Sequence, residues 1–198
     1  MANQTNQIET HIEISVENRD RASAFFRWLL VLPVAIFLAF FMQAVHWGIS
    51  SFVIVLPVVL SILFRGIYPS WILTFNHAIL EFAMRVAAYT FFITDKYPTL
   101  EPNPSVAVIL PDVEGGKKLN RWLPIVKWFL AIPHYVVGTV YLIYASIATL
   151  YLWLQISVSG KASQWALDAN LNTLKYWNRV FGYAVLLVTD EYPTFSLK

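Results

Sequence analysis

In the stretch NHAILEFAMR, His77, Glu81 and Arg85 stand at i, i+4 and i+8, a spacing that places all three on one face of a helix. A histidine and a carboxylate so placed could hold one edge of a metal ion or share a proton as an acid/base pair. The same ladder can equally be an ion row on a helix surface. Of the remaining histidines, His11 falls in a polar alternation, His46 in a gap between apolar runs, and His134 directly after Pro133 in an apolar arm. No two share a ligand spacing. There is no cysteine, so thiolate metal sites and a thiol nucleophile are excluded. No phosphate-cradling glycine loop, nucleophile elbow or HExxH helix is present. The sequence thus lacks a coherent catalytic set, and neither a cofactor nor a metal is expected.

The elements that carry these residues are built from an unusually apolar chain. Hydrophobic residues make up 58% of the 198 and charged residues 13%, with a mean hydropathy of +0.56. That charged share is about half the usual one, so a bilayer is the natural solvent. A net charge of +2, carried on scattered basic residues, argues against nucleic acid. The polar, acidic start MANQTNQIETHIEISVENRD does not read as a cleavable signal.

The chain repeats itself. Arg21, Trp28 and Pro33 match Arg121, Trp128 and Pro133 at an offset of 100. Gly66, Trp71, Asn76, Arg85 and Tyr89 match Gly160, Trp165, Asn170, Arg179 and Tyr183 at 94. Thr94-Asp95-x-Tyr97-Pro98-Thr99 matches Thr189-Asp190-x-Tyr192-Pro193-Thr194 at 95. Two units follow, 1–100 and 101–198. Each begins with a short strand: Ile8, Ile12, Ile14 and Val16 alternate with Glu9, His11, Glu13, Ser15 and Glu17, while 105–113 is apolar and β-branched, and the two could pair. An apolar tract comes next, long enough for two passes of about 20 residues each. Helical hairpins are expected over about 24–65 (arms 24–44 and 49–65) and 122–158 (arms 122–141 and 145–158). Hairpins that dip only part-way into the membrane are the alternative. Amphipathic helices should close the units at about 69–93 and 162–188, lying in the membrane interface with their cations near phosphates.

The hexapeptide that ends each unit reads as a stop-and-anchor sign. Pro98 and Pro193 end the helix, Asp95 and Asp190 accept in an Asx-turn, and Tyr97 and Tyr192 sit at the membrane surface. All 14 Lys and Arg lie outside 28–64 and 128–160. The positive-inside rule then places both termini and both amphipathic helices in the cytoplasm. Arg85 and Arg179, which recur, are candidates for lipid headgroups or a partner's carboxylates, or else snorkel and pair helices. His134, Trp71, Trp165, Tyr97 and Tyr192 complete the set of candidate lipid-headgroup or partner-binding residues.

The unit Gly-x4-Trp-x4-Asn-x8-Arg-x3-Tyr … Thr-Asp-x-Tyr-Pro-Thr, preceded by Arg-x5-Lys-Trp-x4-Pro-His, resembles a bacterial membrane-protein family catalogued as a domain of unknown function (number four-three-eight-nine). The match is fuller in the second unit, where LPDV and LNRWLPIVKWFLAIPHYVV stand; Val34 replaces the His134 position in the first. The resemblance implies membrane location and topology, and no activity.

The expected fold is an all-α membrane protein, a tandem duplication of a helical hairpin plus interfacial amphipathic helix, with a short β-strand before each unit. The expected location is the inner (plasma) membrane, multi-pass, with both termini cytoplasmic. Its partners would be the lipid bilayer and a larger membrane complex or a second copy, with no nucleic acid. The leading function is an accessory or scaffold protein that docks a partner. Lipid or apolar small-molecule binding or transport is the alternative, and a membrane enzyme using His77, Glu81 or His134 a weaker one.

Overall fold

The computed structural model describes residues 6–46 and 50–197, with side chains outside 40–54. Its elements are β1 (Glu9–Ile12), α1 (Arg21–Phe25), α2 (Arg27–His46), α3 (Ser50–Leu60) with a π-helical turn (Ser61–Arg65), α4 (Ser70–Thr90), β2 (Val106–Ile109), α5 (Leu123–Leu130), α6 (Ile132–Ser159) and α7 (Gln164–Ala184). The described chain is therefore mainly helical, with one two-stranded sheet. β1 and β2 pair antiparallel, with Thr10 opposite Val108 and His11 opposite Ala107.

The second hairpin expected over 122–158 is replaced by one short helix and one long one. α6 runs without a break through 142–144, where the turn was expected. Ala145 and Ala148 are fully buried; these small residues let neighbouring helices approach α6 closely. The chain bends instead at Ala131, just before Pro133. In the first unit α2 and α3 touch each other and α4. Val31, Val34 and Leu38 meet Phe82, Val86 and Tyr89 on α4, while Val58 and Ile62 share a cluster with Ile72 and Leu80. The turn expected between the arms 24–44 and 49–65 involves residues 47–49, which lie outside the described residues. Among the described residues α6 alone is long and apolar enough to cross a membrane, so the four crossings of two hairpins are not found.

α4 and α7, the helices expected at the membrane interface, pack between the apolar helices and the sheet. α6 runs antiparallel along one side of α7, with Tyr141 beside Tyr176, Thr149 bonded to Asn170, and Tyr151 against Trp165. β1 covers the other side, where Ile8 abuts Gly182, Asn178 donates to Thr10 at 2.7 Å, and Ile12 and Ile14 pack near Leu171 and Leu174. No residue of α7 from Ala166 to Ala184 is exposed. The polar stripe that suggests water in the sequence is satisfied inside the protein: Asn170 also donates to the Phe91 carbonyl at 2.7 Å.

The two units interlock. Gly66 and Gly160 end the π turn and α6 in left-handed conformations, with φ of +63° and +68°, where a Cβ is strained. Residues of the opposite unit close over each. Arg19 N donates to Gly160 O at 3.1 Å and Arg21 to Ser159 O at 3.2 Å. Tyr68 N donates to Gly115 O at 2.9 Å, and the Arg121 guanidinium lies against Gly66.

Candidate functional site

Each hexapeptide is a latch on the start of its own apolar tract. Asp95 pairs with Arg27 and, at 2.6 Å, with Arg19. Asp190 lies 2.6 Å from the Lys127 ammonium. The cations are fully buried or nearly so, a state that requires partners on every side. Arg27 also donates to the Tyr89 and Thr94 carbonyls and lies between the Tyr89 and Phe92 rings at 4.5 and 4.4 Å. Lys127 donates to the Thr189 carbonyl at 2.6 Å and lies 5.1 Å from the Tyr183 ring. Tyr97 and Tyr192 donate their hydroxyls to the Leu30 and Leu130 carbonyls at 3.2 and 2.9 Å.

This geometry corrects the anchor sign expected from sequence. The helices end at Thr90 and Ala184, well before the prolines. Phe92 and Leu187, one repeat apart and both with positive φ, turn the chain there. The local turn is made by threonine, not aspartate: Thr94 Oγ1 accepts from Lys96 N and Thr189 Oγ1 from Glu191 N. The aspartates instead accept long-range bonds, from Asp20 N to Asp95 and from Asn120 N to Asp190.

Arg85 and Arg179 point inward. Arg85 is buried and donates to the Thr99 and Leu100 carbonyls at 3.0 and 3.2 Å; Arg179 donates to the Ser196 carbonyl. Each straps down the segment after its hexapeptide, which does not favour a headgroup role. The His77 ladder clamps β2 onto α4: His77 Nε2 lies 2.6 Å from Val108 O, and Glu81 accepts from Val108 N at 3.4 Å. His134 is fully buried, with Nδ1 2.8 Å from the Tyr176 hydroxyl and its ring stacked 4.0 Å from Phe195. The structure brings His134 and Tyr192 together at 4.7 Å between rings. It leaves Trp71 and Trp165 exposed, Trp165 against Tyr151. No three His, Asp or Glu side chains converge as metal ligands among the described residues.

Among the described residues, a long exposed surface is apolar. Ile132, Val136, Val140, Ile143, Ile147, Leu150, Leu154 and Val158 form one row along α6, each at least 52% exposed. Phe129 on α5 and Trp122 just before it are 70% and 72% exposed, and Phe25, Phe26, Leu29 and Ile36 extend the same kind of surface over α1 and α2. A soluble monomer rarely shows a contiguous apolar patch so long. The row follows a spacing of three and four that is present in the sequence but hidden there, because the buried face of α6 is apolar too. Arg27 and Lys127, missed as site residues, had one sequence signal: a cation recurring inside an apolar tract.

No family model, no curated protein and no solved structure matches this chain.

Proposed function

We propose that the chain is a membrane-associated accessory protein without catalytic chemistry of its own. Its outer helices rest in a bilayer, and the opposite face, carrying the sheet and the linker, docks a partner protein or complex. The observation that carries this is the uncharged row along α6, exposed over the full length of the helix. An apolar surface of this extent is stable only when covered. The family that the repeated unit resembles is consistent with a location at the bacterial plasma membrane. His77 and Glu81 are engaged with β2, which leaves the docking function better supported than an acid/base one.

The test has two arms. The purified chain should float with phospholipid vesicles and should aggregate or need detergent without them; a monodisperse chain in plain buffer defeats the membrane part. Purified from its own membranes in mild detergent, the chain should carry one stoichiometric protein partner. Reproducible migration as a lone monomer defeats the docking part.

A further inference from the structure

We infer that α6 lies in the plane of one membrane leaflet and does not cross the bilayer, so that the apolar helix layer is a monotopic surface for anionic lipid. This rests on the membrane association proposed above and specifies its geometry.

The reason lies in what is fastened to α6. α7 runs beside it from end to end, from the His134–Tyr176 contact to Ser163 bonded to Gln155. On the far side of α7, and not beyond its end, lies β1, spread along it from Leu171 to Gly182. β1 and the residue after it carry Glu9, His11 and Glu13, and Glu13 binds Lys96 at 2.8 Å. A perpendicular α6 would drag this strand and its ions to hydrocarbon depth. Charged residues there cost about 2.5–3.5 kcal/mol each on an insertion scale.

Turned through a right angle, the same layers stack along the membrane normal. The α6 row enters the acyl chains, α7 sits above it, and the charged sheet faces water. A helix lying this way buries its apolar face about 5–10 Å deep. The row also fits the plane by its length. From Ile132 to Val158 it spans about 39 Å with no charge, against a hydrocarbon core of about 30 Å. Exposed cations stand at both ends: Lys117, Lys118 (paired with Glu114 at 2.9 Å) and Arg121 before α5, and Arg21 and Lys161 at the close of α6, with Asp20 beside Arg21. In one plane these groups meet the phosphates of a single leaflet; across a bilayer they would be split between compartments.

The absence of cysteine makes the test clean. Single variants Lys118→Cys and Lys161→Cys in the full chain are probed in cells with a membrane-impermeant maleimide, before and after opening. Nitroxides at Val140→Cys, Ile147→Cys and Leu154→Cys report depth through oxygen and nickel-chelate accessibility in phosphatidylcholine–phosphatidylglycerol vesicles. Both ends should label from one compartment only, and the three nitroxides should sit at one shallow depth. Labelling from opposite compartments, or a depth that peaks at 147, overturns the in-plane placement while leaving membrane association intact. A chain that does not float with the vesicles overturns the association itself. Spin–spin broadening between copies along the row would show that a second copy, not lipid, covers it. Lys118→Glu with Lys161→Glu should weaken binding to the anionic vesicles about tenfold or more; unchanged binding removes the anionic leaflet as the occupant.

Discussion

Lys127 holds its ammonium 2.6 Å from the Asp190 carboxylate inside the protein, and one repeat earlier Arg27 holds Asp95 in the same way. Removing one partner of a buried pair costs about 3–5 kcal/mol, because the other charge is left uncompensated, whereas an apolar pair of similar volume can be neutral or better. Lys127→Met or Asp190→Asn alone should lower the Tm by about 6–20 °C. The double variant Lys127→Met with Asp190→Leu should lose less than either single one. Thermal-shift measurements in one detergent decide it: losses that simply add would mean that the two groups are not coupled.

Asp95 gives the first latch an acid limit. Burial works to raise its pKa, but the hydrogen bonds and charges of Arg19 and Arg27 outweigh burial and hold it below the ordinary carboxylate value. A group whose folded pKa is depressed contributes fully above its unfolded pKa of about 3.9 and loses that contribution as pH falls through the folded value. Asp95→Asn should therefore be much less stable than the native chain at pH 7, with the gap closing below about pH 4. A Tm difference that stays constant from neutral to acid would show that Asp95 is not the group responsible.

The duplication was legible because identities recur at fixed offsets, and residues one repeat apart do make equivalent contacts: Arg27 with Lys127, Tyr97 with Tyr192, Gly66 with Gly160. The pairing of the two strands was legible as a possibility. The single helix α6 was not, because a tract that is apolar on every side carries no period to separate one helix from two. The packing of α4 and α7 was not legible because a polar stripe signals either water or a polar partner. Asn170 and Asn178 find partners contributed by the other unit, which local periodicity cannot reveal. Arg85 and Arg179 likewise turn toward backbone carbonyls, although recurrence alone suited a headgroup equally well.

Gly138 sets how closely α6 and α7 approach. A Cβ added there would lie 2.6 Å from Cζ2 of the Trp177 ring, a rigid group wedged beside Tyr176 and Tyr135. Overpacking of this kind costs about 1–3 kcal/mol. Gly138→Val should lower the Tm by several degrees, with Gly138→Ala falling between it and the native chain. A Gly138→Val variant as stable as the parent would mean that the helices are farther apart than the contact requires.

The strand pairing predicts a covalent bond. His11 of the first unit faces Ala107 of the second across the antiparallel ladder, and opposed residues in such a ladder have Cα atoms about 4.5–5.5 Å apart, within disulfide reach. With no native cysteine to compete, His11→Cys with Ala107→Cys should oxidise quantitatively in the folded protein. Closing a loop of nearly a hundred residues in this way should raise the Tm under oxidising conditions and not under reducing ones. A non-reducing gel shows the bond as a mobility shift. Shifting the register by one, with His11→Cys and Val106→Cys, points one thiol to the opposite face of the sheet and should leave both free. Equal oxidation of the two pairs would mean that the strands are not held in this register, and the interlock of the two units would lose its central contact.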